Sequence, residues 1–275
     1  MTLEVARIDP AQEGAPSWGA RLKWPLIQTG VLLGLLLGWQ VLWQSGVLDH
    51  RHFPSVMETI RATFTLLGGA QLWHDLASTL GAWGLGLLLA VAIGVPVGFG
   101  LASSDLAYRS CRLIIDFCRS IPPVTLLPVA LLLYGTTLDM KVVLILFGCV
   151  WVIILQTMYG VRHTDPVALE TARAYRVRRR DVALRILLPS AAPYISTGLR
   201  ISAVTALLIA IGAEIITSAD GIGREILLAG NVGALSRMYG LILIASVVGL
   251  LINLGFTGVE RAAMRSHPSR RRGQA

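Results

Sequence analysis

The sequence contains few charged residues, and this scarcity excludes an ordinary water-soluble domain. Only 15% of its 275 residues are Asp, Glu, Lys or Arg, whereas 54% are hydrophobic. The mean hydropathy of +0.66 is more than a soluble domain of this length can bury in a single core. We therefore expect lipid to be the solvent for most of the chain.

Lysine is scarcer still, and its scarcity excludes an ATPase site of the P-loop type. Such a site needs a glycine-rich loop followed by Lys and then Ser or Thr, because backbone amides and the lysine bind the phosphates. Lys23 and Lys141 are the only lysines, and neither has this context. The motifs G-x-S-x-G and H-E-x-x-H are also absent. We expect this chain to be no enzyme and to hold no cofactor of its own.

Cysteine is too rare and too irregularly spaced for a disulfide framework or a zinc site. The three cysteines, Cys111, Cys118 and Cys149, form no C-x-x-C pair. None of them has a histidine at metal-ligand spacing. We predict neither a disulfide nor a metal site.

Long uncharged runs are abundant, and each is long enough to cross a membrane. A helix needs about 20 apolar residues to span a bilayer core of about 30 Å. Five runs without any charge satisfy this requirement, and a sixth is interrupted only near its two ends. The predicted spans are about 26–43, 76–104, 120–138, 142–161, 194–217 and 238–259. They form a transmembrane domain over 26–260, preceded by a segment 1–25 and followed by a basic tail 261–275.

Positive charge is concentrated between alternate spans, and this distribution sets the predicted orientation. With the N-terminus inside, the inner segments hold 18 of the 24 Lys and Arg residues, and the outer segments hold five, among them Lys141. The positive-inside rule then places both termini and the loop 162–193 in the cytoplasm. The same rule accounts for the net charge of +8, so we expect no nucleic acid as a partner.

Proline and glycine interrupt two of the spans. Pro122, Pro123 and Pro128 predict that the third span is a broken helix, which is a candidate for lining or gating a pathway. Gly94 and Gly98 have the G-x-x-x-G spacing that lets two helices approach closely. We predict close helix packing at these two glycines.

Arg200 and Glu214 are the charged residues inside the predicted span 194–217. An acidic residue is costly in a membrane and often marks an ion or substrate route. Glu214 is therefore either a pore residue or a partner for Arg200, although their separation of nearly four turns excludes a pair along one helix. The alternative is a structural role, with hydrogen bonds to the turn at 218–224.

The cytoplasmic loop contains a clear helix start. Asp165 precedes Pro166, so its carboxylate is placed to cap a short helix that runs to about Tyr175. Ala168 and Ala172 share one face of that helix with Tyr175. Such a helix either docks into a groove of another protein or lies on the membrane surface.

The same loop carries a spaced motif. Glu170, Thr171 and Ala172 are followed after three residues by Arg176 and, after nine more, by Ile186-x-Leu188-Pro189. This series resembles the EAA motif of binding-protein-dependent ABC importer permeases, whose pattern is E-A-A, three residues, G, nine residues and I-x-L-P. Thr171 stands for the first alanine and Arg176 for the glycine. If the turn needs a left-handed backbone there, Arg176 costs roughly 1 kcal/mol.

The stretch 120–261 is most similar to the permeases for nitrate, sulfonate, taurine and related solutes. The resemblance implies an all-α membrane protein with six transmembrane helices and the MetI-like fold of type I importers. It also implies a bacterial inner membrane. Besides the loop motif, the matching pieces are Ile121-Pro122-Pro123 with Pro128 and Gly135, Gly198-Leu199-Arg200, Ala213-Glu214 and Gly221-Ile222-Gly223.

The resemblance further implies an assembly. A homodimer of permeases would sit above two ATPase subunits, which bind ATP and Mg, and below a substrate-binding protein that delivers a small solute such as an organic anion. The helix around Glu170 would couple permease to ATPase. The implied coupling residues are Asp165, Leu169, Glu170, Thr171, Ala172, Ala174, Tyr175, Arg176, Ile186, Leu188 and Pro189.

Two other readings stay open at this stage. One is a secondary transporter driven by an ion gradient, with Glu214 or Asp116 as a proton carrier. Against it, no internal repeat is evident and the elaborate loop is cytoplasmic rather than near the bilayer midplane. The other reading is a membrane-embedded scaffold without transport activity.

Overall fold

The computed structural model describes residues 18–265, and every regular element in that range is helical. The helices are α1 Trp18–Gln44, α2 Val56–Leu67, α3 Ala70–Ala102, α4 Asp105–Ser120, α5 Leu127–Tyr134, α6 Leu138–Arg162, α7 Pro166–Ala174, α8 Arg179–Val182, α9 Leu188–Thr217, α10 Ile222–Asn231 and α11 Leu235–Arg265. A 3₁₀ turn, Pro123–Leu126, leads into α5, and a π-helical turn, Ala183–Leu187, leads into α9. Most of the predicted N-terminal segment 1–25 and most of the predicted basic tail 261–275 lie outside this range.

Five helical segments in the described range are long and apolar enough to cross a membrane, and a bent pair makes a sixth. The five are Leu26–Gln44, Ala70–Ala102, Leu138–Arg162, Arg179–Thr217 and Leu235–Gly258. The bent pair joins α4 to the segment Pro123–Tyr134 at an angle of 78°. The predicted span 120–138 is therefore not one straight helix, and the break lies at Pro122 and Pro123, as the prolines predict.

The chain divides into two compact units, one up to Ile60 and the other from Arg61 onward. In the first unit, the loop after α1 folds back, because Trp43 Nε1 donates to the carbonyl of Phe53 at 3.0 Å. Ser55 and Glu58 then form a capping box, in which each side chain accepts a hydrogen bond from the other residue's backbone amide. This reciprocal pair starts α2.

In the second unit, α3, α6 and α9 form the core. Small and branched apolar side chains fill it, which lets the helices approach closely. Fully buried members are Ala82, Ala90, Ile145, Cys149, Ile153, Ala206 and Ala210. α10 packs on α9 and α11 at the end of the bundle opposite α7.

The glycine spacing in α3 marks the contact with α6, as the sequence predicts. Gly94 and Gly98 are both buried. A Cβ added to Gly94 would lie 2.8 Å from Ile153 Cγ2, and one added to Gly98 would lie 2.7 Å from the carbonyl oxygen of Ile154. Gly100, in contrast, has no atom within 4 Å of an added Cβ. Close approach of the two backbones therefore depends on the buried glycines.

We expect Gly98→Ala to lower the free energy of unfolding by about 1–3 kcal/mol, because the methyl group meets the α6 backbone and must push the helices apart. Gly100→Ala is the matched control, with open space at the same helix and a small gain in helix propensity. Thermal unfolding of the two purified variants in one detergent measures the difference. Equal melting temperatures would contradict the predicted contact.

Candidate coupling loop and buried ion pairs

The helix α7 begins as the sequence predicts. Asp165 Oδ1 accepts a hydrogen bond from the amide of Val167 at 2.9 Å, and Pro166 occupies the first helical position. The carboxylate therefore satisfies one of the free amides at the helix start. This cap therefore sets the first residue of α7, shortly after the end of α6.

The end of α7 has the backbone geometry in which glycine is usual. The amide of Val177 donates to the carbonyl of Ala172, and the amide of Arg176 donates to that of Arg173. These two bonds define a Schellman turn, whose closing residue is left-handed. Arg176 is that residue, with φ of 51°. The motif position that usually holds glycine thus has a left-handed backbone, so the condition stated for Arg176 is met, and its cost of about 1 kcal/mol stays a prediction.

We expect Arg176→Gly to raise the free energy of unfolding by up to about 1 kcal/mol, because glycine has no Cβ to strain a left-handed backbone. Arg178→Gly is the control, since Arg178 has φ of −60° and gains nothing from glycine. Thermal unfolding of the purified permease measures both. A lower melting temperature for Arg176→Gly than for the parent chain would contradict this account.

The faces of α7 separate clearly into packed and exposed residues. Ala172 is 5% exposed and packs against the rest of the chain, and Leu169 is half-buried. Glu170 is exposed, and Tyr175 is 81% exposed. The other predicted coupling residues divide in the same way: Asp165, Thr171, Ala174, Arg176, Leu188 and Pro189 are exposed, and Ile186 is half-buried in the π-helical turn. An exposed carboxylate and an exposed aromatic ring thus lie on one short, capped helix.

At the opposite end of the bundle, a buried ion pair joins α6 to α9. Lys141 Nζ lies 2.9 Å from Glu214 Oε1, and the two side chains are 2% and 0% exposed. The sequence assigned Lys141 to an outer connecting segment, and this was wrong, because Lys141 lies one turn inside α6. Glu214 lines no surface of this chain. Its amide partner is Gly223, which donates to Oε2 at 3.0 Å, so the predicted hydrogen bond to the turn is confirmed.

Arg200 has a different partner from the one considered for it. Its Nε lies 2.8 Å from Glu260 Oε2 on α11, and Thr197 Oγ1 lies 2.5 Å from Glu260 Oε1. The hypothesis of an Arg200–Glu214 pair is therefore wrong. Both intramembrane charges of α9 are neutralised by another helix, because an unpaired charge is costly there.

The backbone carbonyl that is freed at the proline-rich break is hydrogen-bonded within the break itself. The carbonyl freed at Pro122 accepts from both the amide and the hydroxyl of Thr125, at 3.0 and 2.7 Å. Pro123 packs against α6, where a Cβ added to Gly148 would lie 2.7 Å from Pro123 Cγ. Pro122 and Pro128 are exposed on the surface of this chain. The break is thus held in place by protein contacts, as broken membrane helices require.

The sequence contains one signal that could have drawn attention to Lys141 and Glu214 as residues at the same membrane face. A base one turn inside one span and an acid one turn inside a neighbouring span lie at the same predicted membrane face. The glycine pair Gly221 and Gly223 follows the acid directly. What the sequence could not supply is the contact between helices, because the two charges are 73 residues apart.

These features are those of a polytopic, all-helical membrane protein with a capped polar helix outside its apolar core. The chain belongs to the family of binding-protein-dependent transport system inner membrane components, whose sequence model matches residues 90–265. It is an ABC importer permease of the type that includes nitrate and taurine permeases.

Curated relatives match along most of the chain. It is 30% identical to the nitrate import permease protein NrtB of Leptolyngbya laminosa, over 82% of this chain and 84% of the relative. It is 26% identical to the taurine transport system permease protein TauC of Escherichia coli, over 87% and 90%. It is 31% identical to the bicarbonate transport system permease protein CmpB of Synechocystis, over 84% and 85%. These relatives are transport permeases.

The fold also matches a solved transporter. The MetNI methionine ABC transporter, in an inward-facing conformation, has a chain that aligns with a TM-score of 0.63 and 22% identity. The alignment covers 70% of this chain and 96% of that one. The six-helix, MetI-like fold predicted from the sequence is confirmed.

Proposed function

We propose that this chain is the translocating subunit of an ABC importer and receives its energy from a separate ATPase through α7. The observation that carries this proposal is the exposed, doubly capped helix at the EAA spacing, with Glu170 and Tyr175 on its free surface. A short rigid helix loses little conformational entropy when it binds a groove. In the proposed assembly, two permease copies bind two ATPase subunits, which hold ATP and Mg, and one substrate-binding protein.

We infer that the solute is a small anion or an acid derivative of similar size. The matched relatives are named for nitrate, taurine and bicarbonate. The proposed orientation, with both termini in the cytoplasm of a bacterial inner membrane, rests on the excess of inner arginines. It puts α7 on the ATPase side and α10 on the side of the binding protein.

In the alternative of an ion-driven transporter, Glu214 or Asp116 would carry the proton, and each of these two carboxylates has a partner within the described residues. Glu214 is held by Lys141, Thr79 and the amide of Gly223. Asp116 lies 3.0 Å from Arg119 Nε on the same helix. Both carboxylates named for the ion-driven alternative are thus engaged in ion pairs.

Uptake by reconstituted vesicles tests the proposed function. Vesicles containing the permease, with its partner ATPase and binding protein, are given labelled nitrate, taurine or bicarbonate with and without Mg-ATP. We expect uptake of one solute class only when ATP, ATPase and binding protein are all present. Uptake by the permease alone under an imposed ion gradient would contradict the proposal.

A further inference from the structure

The ammonium group of Lys141 uses all three of its N–H donors. Its Nζ lies 2.9 Å from Glu214 Oε1, 2.7 Å from the carbonyl oxygen of Asp220 and 3.1 Å from Ser78 Oγ. Ser78 Oγ also donates to the same Asp220 carbonyl at 2.9 Å. One buried lysine therefore joins α3, α6, α9 and the turn after α9.

The carboxylate of Glu214 caps the helix that follows. Its Oε2 accepts from the amide of Gly223 at 3.0 Å, and both of its oxygens lie 3.0 Å from Thr79 Oγ1. Thr79 Oγ1 in turn accepts from the amide of Ile222 at 3.1 Å. Ile222 and Gly223 are the first two residues of α10, whose amides have no partner within the helix. Negative charge at this position is also favoured by the helix dipole.

Glycine at position 221 makes this arrangement possible. Gly221 has φ of 149°, and a Cβ added to it would lie 2.2 Å from Glu214 Oε1. The carboxylate therefore occupies the space that a side chain at 221 would need. We call Lys141, Glu214, Thr79, Ser78 and Gly221 the clasp.

The clasp lies at the far end of a continuous structural path from α7. The helix α9 begins at Leu188, inside the loop region 162–193 that contains α7, and ends at Thr217, three residues after Glu214. Its 30 residues extend about 45 Å. Because α9 is one continuous helix between the loop and Glu214, a displacement at its start can reach the clasp and, through the clasp, α10.

We propose that Lys141, Glu214 and Thr79 are positioning residues for transport, which fix α10 to α3, α6 and α9 so that α10 moves with these helices during the transport cycle. This inference rests on the proposed function, because it requires the ATPase to displace α7. It assigns the charged pair a mechanical role at the outer face. It gives the pair no part in binding solute.

Thr79 offers the sharpest test, because its hydroxyl can be removed without changing its shape or any charge. In Thr79→Val the amide of Ile222 loses its acceptor, whereas Thr79→Ser keeps the hydroxyl as the matched control. Hydrogen exchange of the peptide over 218–226 is measured on the permease in nanodiscs. We expect about tenfold faster exchange at Ile222 in Thr79→Val and no change in Thr79→Ser.

The second measurement follows α10 through the ATPase cycle. Leu228 is 42% exposed on α10, so Leu228→Cys is accessible to a maleimide in a chain whose three native cysteines have been replaced. We expect its reactivity to differ between the nucleotide-free complex and the complex trapped with Mg-ATP and vanadate. In Thr79→Val this difference should fall at least threefold, while ATP hydrolysis continues. In Thr79→Ser it should persist.

Two results overturn the inference in distinguishable ways. Unchanged exchange and unchanged maleimide reactivity in Thr79→Val, with ATPase binding intact, would show that α10 does not depend on the clasp. Failure of the parent chain to bind the ATPase would refute the proposed function, and the transport role of the clasp with it. Exchange at Ile222 in the isolated permease would still report whether the clasp holds α10.

Discussion

Lys141→Met is expected to destabilise the permease so strongly that little folded protein accumulates in the membrane. The substitution leaves the Glu214 carboxylate buried without its cation, and breaking a buried pair in this way costs about 3–5 kcal/mol. That loss is a large fraction of the 5–15 kcal/mol by which folded proteins are generally stable. We expect a sharply lower yield of monodisperse protein and a lower melting temperature in detergent.

The double variant Lys141→Met with Glu214→Gln separates the effect of an uncompensated buried charge on stability from the effect of the changed side-chain shape. It contains no net charge at this site, and the glutamine oxygen can still accept from the amide of Gly223. We expect it to recover most of the yield that the single variant loses, because the uncompensated charge is gone. If the double variant is as unstable as Lys141→Met alone, the buried charge is not the cause.

Glu170→Ala combined with Tyr175→Ala is expected to abolish ATP-dependent uptake while leaving the membrane domain folded. Both side chains are exposed, so their removal opens no cavity in the permease. Exposed tyrosines that enter a partner's pocket are frequent hot spots, and a loss of about 2 kcal/mol weakens association about 30-fold. Binding of the purified ATPase to the permease in nanodiscs and uptake by the same preparation measure the effect.

Conservative changes at the same positions serve as controls. Tyr175→Phe keeps the ring and Glu170→Gln keeps the length of the side chain, so we expect both to retain most of the binding. The melting temperature of the double alanine variant should equal that of the parent chain. Normal ATPase binding by that variant would refute the role of α7, whatever the uptake.

The capped helix α7 could be predicted from the sequence because its determinants are local. Asp165 caps a helix that begins at the next residue, and the left-handed Arg176 follows directly after Tyr175, the residue that caps the end of the same helix. The long apolar runs likewise identify spans without any knowledge of their neighbours. Short-range hydrogen bonding and hydropathy were sufficient for both.

The clasp and the Arg200–Glu260 pair could not be predicted in the same way. Each joins helices that are 60 residues or more apart in the chain, so partner choice depends on how the helices pack. Counting Lys141 as a connecting-segment residue followed from its charge alone, since a buried lysine is rare unless it is paired. Its partner becomes visible only when α6 and α9 lie side by side.

The 78° bend after α4 has a consequence for how this part of the chain crosses the membrane. The segment Pro123–Tyr134 contains 12 residues, the sum of its 3₁₀ turn of 4 and α5 of 8. At roughly 1.5–2 Å per residue it extends only about 20 Å, less than the 30 Å of a bilayer core. The segment alone is therefore too short to cross the hydrocarbon core of a bilayer. A membrane crossing at this point therefore needs residues of α4, on the other side of the bend, as well as this segment.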